Sequence, residues 1–329
     1  MNRLKIFVAQ NSTFIALLVL IVFFAVMHPR FFTFNNGQTI ILQIAELGLI
    51  ALPLAFLVMA GTLDLSVGSV ASLAAIVSGI AMNGTGNTLV GFLAAIAVGL
   101  VAGALNGLLV AYLKLNALVI TLGFLSVWGG LALFLTNGST LTGFPESFTS
   151  LGTMSFGPIS LQVVILILFT AGAWYLLNRL PIGRNVLAIG GNSRAAHLMG
   201  INVQRTRFLL FVLTGVSASV AGLLLAAKLH SAPPTVGSGM EIQALTVVLL
   251  GGVALEGGSG RISGVIAGLL FVGVLRNGLV ILGVSQFVQT ILVGLMLVIA
   301  VAMDRTMQKI VQRSWNRIVK KQNQVARTA

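Results

Sequence analysis

The sequence predicts an all-α membrane protein that crosses the bilayer several times. Of its 329 residues, 57% are hydrophobic and only 8% are charged, and a soluble protein of this length cannot bury so much apolar surface. Runs of about twenty apolar residues recur from one end to the other, which is the length of a helix that crosses a bilayer. The net charge is +13, but the cations cluster between the runs and at the C-terminal end, as in cytoplasmic loops. This placement argues against a nucleic-acid partner.

We place about ten spans in a single membrane domain that covers residues 1–329. The first run follows Arg3 and Lys5, as the apolar part of a signal peptide would. The residues after it, His28-Pro29-Arg30, offer no small-residue cleavage site, so we expect a retained span. The eighth run is short and rich in glycine, which indicates a broken helix. The runs lie at about 12–28, 38–60, 65–82, 88–112, 116–136, 160–178, 205–229, 240–254, 262–283 and 286–303.

The positions of the cations predict the orientation of this domain. With both chain ends in the cytoplasm, only Arg30, Lys228 and Arg276 lie outside or within the membrane. The widest external loop, at about 137–160, then carries Glu146 and no cation. The basic tail at 304–329 either lies as an amphipathic helix on anionic lipid headgroups or is disordered. The cations on the inner side are Arg3, Lys5, Lys114, Arg179, Arg184, Arg194, Arg205, Arg207, Arg261 and those of the tail.

An internal repeat relates the two halves of the chain. A shift of 171 residues places Asn106-Gly107-Leu108 on Asn277-Gly278-Leu279, and Gly123 on Gly294. The same shift lays spans two to five over spans seven to ten. Because the displacement is an odd number of spans, the two halves have opposite orientations, and inverted repeats of this kind are typical of transporters with alternating access.

The longest polar interruption on the inner side, residues 183–204 within the loop at 179–204, contains a helix signal. Asn192 or Ser193 can cap a helix start by accepting a hydrogen bond from a free backbone N–H. Residues 195–199 can continue that helix, and Gly200 can end it in the left-handed conformation. The other interpretation is a solvated loop with an incidental turn of helix.

Two further motifs lie at the ends of spans. In residues 60–69, AGTLDLSVGS, Asp64 or Ser66 can cap the helix of the third span, and Gly68 follows in its first turn. In residues 251–260, GGVALEGGSG, the glycines Gly257, Gly258 and Gly260 allow a tight turn and close backbone packing. The second motif is not a phosphate-binding loop, since no Lys-Ser or Lys-Thr follows at the required spacing.

Together these segments resemble permease subunits of bacterial ABC importers of the ribose, xylose and galactoside type, a group that includes autoinducer and rhamnose importers. The family patterns are G-x-N-x-x-A-A-x-x-x-G-I, found at residues 190–201, G-G-I-D-L-S-V-G-S, and G-G-x-x-x-x-G-G-x-G. The second pattern differs at Ala60 and Thr62 and has one more residue before Asp64. Asn106-Gly107 and residues 119–123 are a further likeness.

The resemblance implies a helical permease with a fold like that of the cobalamin importer, in the bacterial inner membrane. It also implies three protein partners: a second permease subunit, identical or a sister chain, a separate ATPase that uses ATP, and a periplasmic solute-binding protein. In this family the polar segment couples the permease to the ATPase. The coupling residues implied here are Gly191, Asn192, Ser193, Arg194, Ala195, Ala196 and Gly200, with the two alanines seated in the ATPase.

No catalytic, metal or cofactor site is expected in this chain. It has no cysteine and three histidines, shows no metal-ligand spacing and lacks a nucleophile elbow. The candidates for the translocation path are Glu46, Asn106, Arg276 and Asn277. Glu46 and Arg276 have opposite signs and similar depths, roughly 12 Å and 10 Å at the helical rise per residue, so the two could pair.

Two alternatives to that pairing stay open. Arg276 could extend to the external headgroups, and Glu46 could be a protonated acid bonded to a neighbouring helix. The alternative function is a secondary transporter driven by an ion gradient, which would need acids near the midplane. Glu46 is the clear candidate for such an acid.

Overall fold

Each predicted apolar run forms a helix or a bent pair of helices in the structure, a computed structural model that describes residues 12–302. Arg3, Lys5 and the basic tail at 304–329 lie outside the described residues. The helices are α1 (Ser12–Met27), α2 (Phe34–Gln43), α3 (Ala45–Met59), α4 (Val67–Thr85), α5 (Thr88–Gly107, continued by the π-helical turn Leu108–Tyr112), α6 (Ala117–Thr136), α7 (Glu146–Thr153), α8 (Leu161–Arg179), α9 (Pro181–Gly191), α10 (Ser193–Leu198), α11 (Val203–Leu229), α12 (Met240–Leu250), α13 (Ile262–Ile281) and α14 (Gln286–Ala302).

The lengths of these helices agree with a protein that crosses a membrane many times. Six of them, α4, α5 with its π turn, α6, α8, α11 and α13, are long and apolar enough to span a bilayer. The pair α2 and α3, bent by 48°, makes a seventh if it counts as one span. Three shorter apolar helices, α1, α12 and α14, account for the remaining predicted runs.

The centre of the bundle is built from α3, α4 and α11. Every residue of α3 is buried, as expected for a helix that is apolar on all sides apart from Glu46 in its first turn. The long α11 contacts α3, α4 and α5, and small residues let these backbones approach closely. A Cβ atom at Gly99 of α5 would lie 2.5 Å from the carbonyl oxygen of Gly215 in α11, so these two helices can pack only through glycine.

Two polar segments contain more structure than the sequence indicated. The segment before the predicted coupling helix forms α9, which begins with Pro181 and buries Val186 and Ile189 on one face. The loop at 137–160, which the sequence predicts to be external, holds α7 and a hairpin of β1 (Ser155–Phe156) and β2 (Ile159–Ser160). Three glycines in α9 hid its helical pattern, because glycine disfavours helices unless packing compensates.

Candidate functional site

The predicted coupling helix is present as α10. The side chain of Asn192 accepts a hydrogen bond from the amide of Ala195 at 2.9 Å, so Asn192 rather than Ser193 is the cap. Gly200 has φ = +85° and follows the end of the helix, as predicted. We call the end of the bundle formed by α9, α10 and the first turn of α11 the coupling end.

The two faces of α10 differ from the prediction. Ala196 is only 2% exposed and packs in the chain's own core, so it is not available to a partner, and its predicted seat in the ATPase is wrong. Ala195 and Arg194 are exposed. Leu198 and Met199, at the end of the helix, are each 81% exposed. The apolar surface at this end is therefore Leu198 and Met199 and not the pair of alanines.

Arg207 ties α10 to the rest of the bundle. Its Nε and Nη2 atoms donate to the carbonyl oxygen of Ala60 at 3.2 and 2.9 Å, and Nη2 also donates to Ser193 Oγ at 3.0 Å. Ser193 Oγ in turn donates to the carbonyl of Ile189 at 2.8 Å. Hydrogen bonds from an ionised group are stronger than neutral ones, and the planar guanidinium holds its partners in fixed directions. Arg207 thus links α11, the end of α3 and the start of α10.

Beside Arg207, three glycine-containing segments meet backbone to backbone. The amide of Gly258 donates to the carbonyl of Met59 at 2.9 Å. A Cβ atom at Gly190 would overlap both the Met59 carbonyl oxygen and the Gly258 amide nitrogen. Close packing by the glycine motif is therefore confirmed, and φ at Gly258 is +78°. We call this contact the glycine junction; its members are Gly61, Gly190, Gly191, Gly257 and Gly258.

A buried polar cluster joins the start of α4 to α5. Asp64 Oδ1 accepts from the amide and hydroxyl of Ser66 at 2.8 and 2.7 Å. Asn106 Nδ2 donates to Asp64 Oδ2 at 3.0 Å and to Ser66 Oγ at 2.9 Å. Burial raises the pKa of the Asp64 carboxyl, which lies between α3 and α4, and hydrogen bonds from Ser66 and Asn106 oppose that rise.

This cluster corrects the prediction of a helix cap. Ser66 stands at the N-cap position, but neither its side chain nor that of Asp64 bonds to the first free amides of α4. Both side chains are used by each other and by Asn106 instead. Asn106 therefore joins the family motif of Asp64 and Ser66, a contact that the sequence did not indicate.

Gly68, the next member of this motif, marks a crossing of two chain segments. A Cβ atom there would lie 2.5 Å from the carbonyl oxygen of Gly237 and would overlap the carboxylate of Glu241. A Cβ atom at Gly237 would in turn overlap the carbonyl of Gly68. Ser72 Oγ accepts from the Gly237 amide at 2.9 Å. Only glycine at both positions allows this approach.

The predicted pairing of Glu46 with Arg276 is wrong. Lys228 Nζ lies 3.1 Å from Glu46 Oε1 and also donates to the carbonyl of Leu42 at 3.1 Å, at the bend between α2 and α3. Arg276 donates to Gln243. The depth estimate could not distinguish Lys228 from Arg276, since both lie near the C-terminal ends of their helices and both helices contact α3. Only packing decides which cation faces Glu46.

The four candidates for the path have different neighbours. Glu46 bonds to Lys228, Asn106 to Asp64 and Ser66, and Arg276 to Gln243. Asn277 is buried in α13, and its Oδ1 has no hydrogen-bond partner among the described residues. The structure therefore gives each candidate its own surroundings instead of one shared cluster.

Replacing Lys228 by Met should lower the free energy of unfolding by about 2 kcal/mol. The buried carboxyl of Glu46 would lose its ion-pair partner, although the cost is below that of breaking a fully buried pair because Lys228 is 26% exposed. The midpoint of thermal unfolding in detergent measures the effect, with the exposed Lys114→Met variant as control. The exchange of Glu46→Lys with Lys228→Glu should recover part of the loss; purely additive effects would argue against the contact.

The sequence analysis missed several residues of these contacts. Arg207 was counted only as a cytoplasmic cation. It follows the exposed Arg205 by two residues, which on a helix places it on nearly the opposite side, towards the bundle. Gly237 had a stronger signal, because residues 235–238, TVGS, repeat residues 66–69, SVGS. A comparison at a shift of 169 residues would have found the crossing of Gly68 and Gly237.

Comparison with known proteins gives consistent matches over most of the chain. The family described as "Branched-chain amino acid transport system / permease component" matches residues 37–301. The ribose import permease protein RbsC of Bacillus subtilis (strain 168) is 38% identical over 295 residues, covering 89% of this chain and 91% of that protein. The L-arabinose transport system permease protein AraH of Escherichia coli (strain K12) is 39% identical over 304 residues, covering 91% and 92%.

A more distant relative is the D-allose transport system permease protein AlsC of Escherichia coli (strain K12). It is 32% identical over 302 residues, covering 91% of this chain and 93% of that protein. No solved structure matches the chain.

Proposed function

The chain belongs to this family of ABC importer permeases, and we propose that it forms the membrane path of a bacterial importer for a monosaccharide or sugar-like solute. It works with a second permease subunit, a periplasmic solute-binding protein that delivers the solute, and a separate ATPase that binds and hydrolyses ATP. The chain itself contributes no catalytic residue, metal or cofactor. Its location is the inner membrane, with both ends in the cytoplasm.

The observation that carries the coupling role is the exposed pair Leu198 and Met199. Large apolar side chains on a surface that is otherwise polar mark contact sites. This pair ends a capped helix in a segment with several arginines and no acid, between the apolar helices α8 and α11. A partner that covers the pair would bury both side chains together, which is how a few residues come to dominate the energy of an interface.

The contacts of α10 suggest how motion of the ATPase would reach the bundle. A displacement of α10 moves Ser193, and Arg207 passes this motion to α11 and to the end of α3. Gly190 passes the motion to the 251–260 loop. These connections are short backbone or charged contacts, so they transmit a shift without first absorbing it in flexible side chains. Helices on either side of the loop, α12 and α13, would then move with α10 to alternate access.

We further propose ten spans arranged as an inverted repeat, as in other alternating-access transporters. The support is that the SVGS segment forms the N-cap and first turn of α4 and the TVGS segment directly precedes α12, the two helices that follow α3 and α11. Their glycines Gly68 and Gly237 touch each other, as equivalent positions do when a pseudo-twofold axis passes between them. Under this proposal α1, α12 and α14 cross the membrane or part of it despite their shorter apolar lengths.

Replacing Leu198 and Met199 together by Asp should lower solute uptake at least tenfold while leaving the protein inserted. Loss of an interface hot spot costs about 2 kcal/mol or more. Two carboxylates would in addition lose their hydration against an apolar surface of the partner. The experiment measures ATP-dependent uptake and release of the ATPase from purified complexes. Asn87→Asp is the control: it adds charge at the opposite end and keeps the cap of α5.

The same site tests the orientation. The chain has no cysteine, so a Met199→Cys variant should cross-link to the ATPase and should react with an impermeant maleimide only after the membrane is opened.

Normal uptake by a well-inserted double Asp variant would contradict the docking role. Uptake that continues without ATP but stops with an uncoupler would instead favour the secondary transporter.

A further inference from the structure

An apolar cavity of about 150 Å³ lies between α3, α8, α9 and α11 near the coupling end. Cavities of this size lined by Leu, Ile and Phe stay dry and accept an apolar group of several carbon atoms. No polar side chain lines it. Its lining consists of Phe56, Leu176, Ile182, Leu209, Leu210 and Leu213.

The cavity is open towards the outside of the bundle. Leu209 is 45% exposed although it lines the cavity, whereas Leu210 and Phe56 are buried. On α8, Trp174 and Tyr175 are also exposed, one turn or less before Leu176. Exposed Trp and Tyr at the end of a membrane helix are typical of the headgroup level of a bilayer.

Two arginines continue the lining faces beyond the cavity. Arg205 precedes Leu209 by one helical turn on α11, and Leu213 follows one turn later, so the three lie on one face. Arg179 follows Leu176 by three residues on α8 and its guanidinium lies 5.7 Å from the centre of the Trp174 ring. Both arginines are exposed, and within the part of the chain that the structure describes neither guanidinium group donates a hydrogen bond or forms an ion pair; the hydrogen bond from Arg205 to Asn202 comes from the backbone amide.

No carboxylate on α8, α9, α10 or α11 compensates the two charges, and Glu46 of α3 pairs with Lys228. The sequence has no Asp or Glu between Glu146 and Glu241, a stretch that includes all of α8, α9, α10 and α11. Of the acids near the end of α3, Asp64 is buried in its own cluster with Ser66 and Asn106. An apolar cavity whose lining faces continue to two guanidinium groups without a carboxylate partner has the chemistry that suits one amphiphilic, anionic ligand.

We propose that this cavity binds an anionic phospholipid, with part of one acyl chain between α8 and α11 and the phosphate at Arg179 and Arg205. Guanidinium groups bind phosphate oxygens through paired, charge-assisted hydrogen bonds, and basic pockets between membrane helices bind anionic headgroups. A zwitterionic lipid satisfies the apolar part of the site equally well but not the two cations. This site is independent of the proposed transport role and is separate from Leu198 and Met199.

Native mass spectrometry of the full chain in detergent tests the site directly. Titration with dioleoyl phosphatidylglycerol should give one tightly bound lipid, and dioleoyl phosphatidylcholine should bind at least tenfold more weakly. The double variant Arg179→Gln with Arg205→Gln should lose this preference. The control, Arg261→Gln, removes an exposed cation elsewhere on the chain and should bind phosphatidylglycerol like the unchanged protein.

A second variant tests the cavity itself. Leu213→Phe fills part of the space and should weaken binding of phosphatidylglycerol with both arginines intact, while its thermal unfolding midpoint shows that it folds. The proposal is overturned if both lipids bind equally, if the double arginine variant keeps the preference, or if Leu213→Phe folds and binds normally. Displacement of the lipid by millimolar inorganic phosphate would also overturn it, because the site would then recognise the free anion alone.

Discussion

Replacing Gly190 by Ala is expected to prevent stable folding of the coupling end. The added methyl group would overlap the carbonyl oxygen of Met59 and the amide of Gly258, and these two groups already bond to each other at 2.9 Å. Overpacking a tight contact costs about 1–3 kcal/mol, and more where nothing can move. Here the obstacles are backbone atoms of two separate segments, so we expect a loss of about 3 kcal/mol or more in the free energy of unfolding.

The next residue supplies a matched control. A Cβ atom at Gly191 would have no heavy atom within 4 Å, so Gly191→Ala should express, insert and fold normally. The measurement is the yield of folded protein in the membrane and its thermal unfolding midpoint. Equal behaviour of the two variants would show that the glycine junction is looser than the structure indicates, and the proposed transmission through it would lose its support.

Arg207→Gln is expected to reduce uptake at least tenfold. The change removes the charged donor for the carbonyl of Ala60 and for Ser193 Oγ, and a hydrogen bond to a charged group contributes about 1.5–3 kcal/mol. Because Arg207 is the side chain that joins α11, the end of α3 and α10, its loss should uncouple transport from ATP hydrolysis. Arg207→Lys should recover only part of the activity, since an ammonium group lacks the planar fork.

The ratio of solute taken up to ATP hydrolysed is the decisive readout. A variant that is merely unstable lowers both quantities together, whereas loss of the link lowers uptake more than hydrolysis. Arg261→Gln removes an exposed cation and should leave the ratio unchanged. Ser193→Ala removes one of the three bonds and should have a smaller effect than Arg207→Gln; a ratio unchanged in every variant would contradict the role of Arg207.

The local features of the chain were accessible from the sequence. Each apolar run became a helix or a bent pair, because a stretch of that length and composition must satisfy its backbone internally in a membrane. The cap at Asn192 and the stop at Gly200 were also predictable, since both depend on residues within a few positions. The glycine motif at residues 251–260 predicted close packing, although the sequence could not show that Met59, Gly61 and Gly190 are its partners.

The orientation of side chains between distant segments was not accessible in this way. Ala195 and Ala196 look alike in a sequence pattern, yet one faces solvent and the other the core, because a helix turns by about 100° per residue and only packing decides which side is inside. Glu46 had two cations at similar depth on two helices that both contact α3, and only the packing of those helices brings Lys228 rather than Arg276 to its carboxylate. Asp64 had a free helix end nearby but bonds to Ser66 and Asn106.

The sequence by itself determined the class of protein, the approximate positions of its helices and the family. These properties follow from composition, from hydrophobic length and from short ordered motifs, which act over neighbouring residues. Only the tertiary structure decided that Arg207 joins α10 to α3, that Gly68 meets Gly237, and that an apolar cavity forms between α3, α8, α9 and α11. Such contacts join residues far apart in the chain, and their energies depend on the approach of helices that no single segment specifies.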